Sequence, residues 1–187
     1  SNAIFQFKFD ECTGRINLNS PPKVVPEGEV GPRHFCFHPN KKDVLYVSNE
    51  QGNSVAAYNL DTSLGTLSHM QTVSTLPFGW KGKSSCAQIQ ITSTGKFLYA
   101  PNRGHNSIAC FSVDSSTGHL EFVRHVFTEP VPRAFSVDPQ GKFLFVAGLE
   151  SGRLASYLID QNTGGLEPLE TVSVGREPMW VLLTTLD

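Results

Sequence analysis

GPRHFCFHPNKKDVLYVSNE, residues 31–50, reads as a loop, a strand, a tight turn and a second strand that ends in a polar tip. The stretch returns twice, as SSCAQIQITSTGKFLYAPNR at residues 84–103 and as VPRAFSVDPQGKFLFVAGLE at residues 131–150. Ahead of it, residues 4–10 alternate Phe5, Phe7 and Phe9 against Gln6, Lys8 and Asp10, a period of two that lays alternate side chains on opposite faces of a sheet.

Each copy is followed by two more strand-like pieces. The first unit predicts strands at 35–37, 44–47, 54–60 and 67–73; the second at 88–91, 97–100, 107–113 and 120–126; the third at 134–137, 143–147, 154–159 and 166–174. An aspartate closes the third strand each time, at Asp61, Asp114 and Asp160, and Asp10 holds the same place after the alternating Phe5, Phe7 and Phe9. The spacings are 51, 53 and 46 residues. A glycine and then Leu or Ile follow each one: Gly14 and Ile16, Gly65 and Leu67, Gly118 and Leu120, Gly165 and Leu166. The first two strands of each unit are joined by His38-Pro39-Asn40, Thr92-Ser93-Thr94-Gly95 or Asp138-Pro139-Gln140-Gly141, all turn-forming sequences. No helical periodicity appears. A four-strand unit of this length, repeated with glycine turns, predicts an all-β chain, a β-propeller of four-stranded antiparallel blades.

The repeat predicts one domain over residues 4–187, with blade units at about 4–30, 31–83, 84–130, 131–178 and 179–187, and residues 1–3 set aside as a tag remnant. That is three full blades with partial blades at each end: 15–19 is a strand, 20–26 a proline-rich connection, and the apolar 179–183 a first strand. Propellers usually have about four to eight blades, so the arc is expected to self-associate through its open blade faces, or to close by 179–183 joining the hairpin of residues 4–19.

Composition narrows the function. Of 187 residues, 39% are hydrophobic and 17% charged, the formal net charge is −2, and no basic run exceeds Lys41-Lys42. Neither nucleic acid nor an anionic membrane surface is an expected partner, and no apolar run is long enough to span a bilayer. Cys12, Cys36, Cys86 and Cys110 form no C-x-x-C pair and read as reduced thiols, with Cys36 and Cys110 inside apolar strands. The six histidines lack zinc spacing, so neither a metal nor any other cofactor is expected. Residues 79–84 fail the phosphate-loop spacing because Pro77 stands where glycine is required. Residues 82–86 end in Cys86 and fail the nucleophile elbow. The insertion 76–85, with Trp80, is read as a lid or rim.

Gly31-Pro32-Arg33-His34, Tyr46-Val47-Ser48-Asn49-Glu50, Asn102-Arg103-Gly104-His105-Asn106-Ser107-Ile108 and Pro132-Arg133-Ala134-Phe135 with Gly141-Lys142-Phe143-Leu144 resemble the lactonase-type seven-bladed propeller family. It includes propeller 6-phosphogluconolactonases and carboxy-cis,cis-muconate cyclases. The resemblance covers nearly the whole chain but matches only the C-terminal portion of the family pattern. It implies a small anionic substrate, a cytoplasmic setting and no cofactor.

The candidate residues sit at the ends of the repeat. Arg33 and His34 precede a first strand, Glu50 ends the adjacent second strand, and Arg103 is the counterpart of Glu50 one unit later. Guanidiniums hold carboxylates and phosphates bidentately. Glu50 or His34 is read as the group that activates water, and Arg103 as the stabiliser of an oxyanion. Arg33, His105 and Arg133 are read as substrate-binding. The same residues also suit surface turns closed by an Arg–Glu ion pair. The expected reaction is hydrolysis of a sugar-acid lactone; a muconate-type cycloisomerase and a non-catalytic binding propeller stand as alternatives.

Overall fold

A computed structural model describes residues 2–184. All regular elements among them are strands. β1 (Ile4–Asp10) and β2 (Arg15–Val24) form a hairpin. β3 (Pro32–Phe37), β4 (Val44–Asn49), β5 (Ser54–Asp61) and β6 (Thr66–Ser74) form the first blade. β7 (Gln90–Ile91), β8 (Phe97–Asn102), β9 (Ser107–Val113) and β10 (Leu120–Phe127) form the second, and β11 (Pro132–Val137), β12 (Phe143–Gly148), β13 (Arg153–Ile159) and β14 (Leu166–Ser173) the third. Within each blade consecutive strands pair antiparallel.

The period of two decides which gap each residue fills. Val44 and Tyr46 of β4 pack with Leu98, Ala100 and Phe111 of the second blade. Their neighbours Leu45 and Val47 pack on the other face, toward Ile4 and Val24 of the hairpin. Phe97 and Tyr99 of β8 likewise meet Phe135, Leu144 and Tyr157 of the third blade. Central strands are therefore buried on both faces, and the apolar layers between blades are the core.

Each recurring aspartate builds an Asx turn. Asp10, Asp61, Asp114 and Asp160 each accept, through Oδ1, the backbone N–H groups two and three residues on. The side-chain hydroxyls of Thr13, Ser63 and Ser116 lead at the first three turns and the Thr163 N–H leads at Asp160, and with the other turn N–H groups they hold all four carboxyls below the usual range. Each turn then closes on a left-handed glycine: Gly14, Gly65, Gly118 and Gly164. In the third blade the turn glycine is Gly164, one residue before the predicted Gly165.

Side chains sew each blade to the backbone of the next. Asn19 donates to the carbonyls of Leu64 and Gly65. Gln6 accepts from Leu67 N–H. Gln71 both accepts from and donates to the Leu120 backbone. Gln88 accepts from Phe135 N–H, and Gln90 bridges Phe135 and Val137. The Tyr46 and Tyr99 hydroxyls donate to the carbonyls of Gly118 and Gly164.

Three strand expectations are corrected. β2 continues to Val24, through most of the predicted connection. β7 shrinks to two residues, with an isolated bridge at Cys86. Residues 179–183 form no strand and do not join the hairpin, because no neighbour offers them a ladder; β1 pairs only with β2. Their entry does repeat the backbone of a first strand: Glu177, before Pro178, is left-handed, as Gly31 and Val131 are before Pro32 and Pro132. The two ends of the arc expose apolar side chains, Phe5, Phe7 and Phe35 at one and Leu169, Val172 and Trp180 at the other. Cys86 and Cys110 are buried, Cys36 is half-buried and Cys12 is exposed; all are free.

Candidate active site

The mouth is assembled from strand ends. In β3 and β11 the register slips between Pro32 and His34 and between Pro132 and Ala134, leaving Arg33 and Arg133 as bulged residues. A bulge breaks the ladder and re-aims its side chain, so the same irregularity presents an arginine in two blades. Glu50 follows β4, where its N–H donates to the Gly31 carbonyl (2.8 Å) and its own carbonyl accepts from Cys86 N–H (3.1 Å). Arg103 follows β8 and donates from its backbone N–H to the Ser85 carbonyl (3.0 Å). Beneath it the buried Asn102 donates to the Thr75 carbonyl and accepts from the Thr75 hydroxyl.

The side chains converge on Glu50. Arg33 Nε lies 3.3 Å from Oε2, and Arg103 Nη2 is hydrogen-bonded to Oε1. Arg103 Nη2 also donates to the Cys86 carbonyl at 3.1 Å. One carboxylate thus bridges guanidiniums from two blades, and all three side chains are largely buried. Arg33 Nη1 and Arg103 Nε are buried without hydrogen-bond partners among the described residues. Burial lowers the Arg33 pKa from its ordinary value, with Glu50 opposing and Arg103 and Arg133 adding to the effect. Burial, then Arg33, lowers that of His34, so its imidazole is neutral at pH 7.

Arg33, His34 and Arg133 line one cavity of about 210 Å³ together with Gln88, Met179 and Trp180. The last three escaped the sequence reading. The only signal for Met179 is its place after Pro178, where Arg33 follows Pro32 and Arg133 follows Pro132. His105 is not among these groups. It is buried, its Nδ1 shares a hydrogen bond with Ser107 Oγ (2.7 Å), and Trp80, His125 and Phe127 pack around it. Trp80 rests edge-on against His105 and is not part of the cavity lining, which makes 76–85 a rim over the β8–β9 turn. Among the described residues no group of three or more His, Cys, Asp or Glu is placed to hold a metal ion. No helix there is long and apolar enough to cross a membrane.

The family model described as "Lactonase, 7-bladed beta-propeller" matches residues 1–183. A 6-phosphogluconolactonase of Pectobacterium carotovorum is 38% identical over 176 residues, 94% of this chain and 53% of that protein. A periplasmic gluconolactonase of Pseudomonas aeruginosa superposes with a TM-score of 0.87 at 28% identity, covering 94% of this chain and 49% of that one. A protein from Lactobacillus plantarum gives 0.88 at 26%, over 96% and 52%. The chain spans about half the length of these relatives.

Proposed function

The chain belongs to the lactonase family of seven-bladed β-propellers, and from that premise we propose that its mouth hydrolyses a sugar-acid lactone of the 6-phosphogluconolactone kind. The observation that carries the reading is the Glu50 carboxylate held between Arg33 and Arg103 from separate blades. Arg33 and Arg133 hold the anionic substrate. Water attacks the lactone carbonyl carbon, and the carbonyl electron pair moves onto its oxygen, facing Arg103. Glu50 takes the proton of the attacking water through Oε2, the more loosely paired of its oxygens, 3.3 Å from Arg33 Nε. Collapse breaks the ring C–O bond, the proton held by Glu50 passes to the departing oxygen to give a hydroxyl, and the carboxylic acid formed releases its remaining proton to water to give a carboxylate. The neutral His34 is the alternative acceptor. The test is lactone opening above the spontaneous rate, followed by NMR. Turnover is expected, with Glu50→Gln and Arg103→Ala each reducing it by about 10²-fold or more; no turnover, or no effect of either change, sinks the reading.

The exposed apolar side chains at the two ends of the arc support self-association of the chain in solution. A solution mass above that of the monomer is expected, and a stable monomer at high concentration refutes it. The four free thiols support a reducing, cytoplasmic setting, checked by cell fractionation.

A further inference from the structure

We propose that the cavity of about 580 Å³ between the 24–30 connection and the first blade is a binding site for a short primary alkylammonium. Asn49, Tyr58 and Glu27 supply its acceptors. The proposal stands apart from the lactonase reading, because this cavity shares no lining residue with the one at the arginine-lined mouth.

The site originates in a break of the repeat. The residue after the outermost strand is Thr75 following β6 and Thr128 following β10, and their backbone N–H groups donate to the carbonyls of Asn53 and Asn106 (2.9 and 3.0 Å). Each hydroxyl then serves the next blade. Thr75 Oγ1 donates to Asn102 Oδ1 (2.7 Å), and Thr128 Oγ1 accepts from the Tyr157 hydroxyl (3.0 Å). After β2 the corresponding residue is Val25, which has no hydroxyl. Asn49 ends β4 as Asn102 ends β8, and Tyr58 holds the place in β5 that Tyr157 holds in β13. Asn49 Oδ1 and Tyr58 Oη are accordingly buried without hydrogen-bond partners among the described residues, although each residue is only 1% exposed. Both residues line the cavity. Buried polar atoms left in this state are rare and costly.

The lining selects the ligand. Asn49 Nδ2 donates to Ser54 Oγ (3.0 Å), so what remains of its amide is a carbonyl that needs a donor. Glu27 is the one acidic side chain in the lining, and neither lysine nor arginine shares it; an anion is disfavoured. An ammonium carries three donors and no acceptor, enough for Asn49, the Tyr58 oxygen and the Glu27 carboxylate. A neutral alcohol answers the first two and leaves the charge of Glu27 unused. The Tyr58 ring, packed against His69 with centroids 5.7 Å apart, adds aromatic surface that suits a cation. Val24, Pro26 and Val30 give the alkyl chain an apolar wall, and the volume lies within the roughly 300–1,000 Å³ of pockets that enclose small ligands.

Butylammonium chloride at pH 7 is the probe, and n-butanol is its neutral match. Saturation-transfer NMR on the unmodified chain should show saturable binding of butylammonium, with n-butanol about tenfold weaker or more. Glu27 lies on an exposed stretch; Glu27→Gln should weaken butylammonium about threefold and leave n-butanol unchanged. Tyr58→Phe should weaken both, butylammonium by about tenfold. That change deletes no hydrogen bond among the described residues, so its melting midpoint should not fall. A lowered midpoint means that the hydroxyl is already paired, and it overturns the proposal. So does an absence of saturable binding, equal binding of n-butanol, or butylammonium binding that survives both variants.

Discussion

Replacing Glu50 with Gln should make the protein less stable and at the same time better at holding phosphate. The change removes the charge that pins two guanidiniums and leaves three positive side chains without a counterion. The magnitude follows from burial: the Glu50 side chain is 28% exposed, Arg33 20% and Arg103 15%. An exposed pair is worth about 0–1 kcal/mol, whereas breaking a buried one costs about 3–5 kcal/mol. Two links at intermediate burial place the loss near 2 kcal/mol, which for a chain of this size lowers the melting midpoint by about 4–8 °C. Calorimetry measures it. Glu129→Gln is the matched control, because its partner Arg153 is 49% exposed and 3.8 Å away; its shift should be close to zero. Added phosphate should then raise the midpoint of the Glu50→Gln chain more than that of the unmodified one. The reasoning fails if Glu50→Gln melts like the control, or if phosphate protects it less than it protects the unmodified chain.

Other consequences can be measured on the same material. Gln71→Met deletes both bonds to the Leu120 backbone (2.8 and 3.0 Å) and should cost about 1–3 kcal/mol in urea unfolding. Tyr46→Phe and Tyr99→Phe remove equivalent buried bonds to Gly118 and Gly164 (2.8 and 3.0 Å), so their losses, about 1 kcal/mol each, should agree. Gly104→Ala places a Cβ 1.9 Å from the Lys83 carbonyl oxygen; it should cost about 1–3 kcal/mol and blue-shift or red-shift Trp80 emission as the rim is displaced. His34, His38, His105 and His125 all have pKa values lowered by burial. The unfolded chain therefore binds more protons than the folded one, so the stability they contribute is complete above about pH 6.5 and is lost as pH falls through the folded values. Melting midpoints measured from pH 7.5 down to pH 5 should decline through that window.

Strand existence and blade grouping were legible because they depend on local chemistry: an aspartate that caps its own turn, a glycine that accepts a left-handed backbone, an alternation of two. Glu50 and Arg103 were legible as counterparts because they follow the same strand of successive blades. What escaped depends on neighbours. Residues 179–183 have a strand's composition, but a strand forms only with a ladder beside it. Gln88 looks like any polar residue until Phe135 fixes one end of its amide. His105 sits two residues beyond Arg103, yet the β8–β9 turn packs it among Trp80, His125 and Phe127, and nothing in the spacing of the two residues foretold that.

The glutamine, asparagine and tyrosine links between blades have a consequence for how such a chain tolerates change. Their receiving atoms are main-chain amides and carbonyls, which every polypeptide supplies whatever its side chains. A leaf can thus change side chains on its receiving surface without breaking these stitches, so long as the leaf before it keeps the side chains that reach across. At these links, transplanting a leaf asks little of the acceptor and much of the donor.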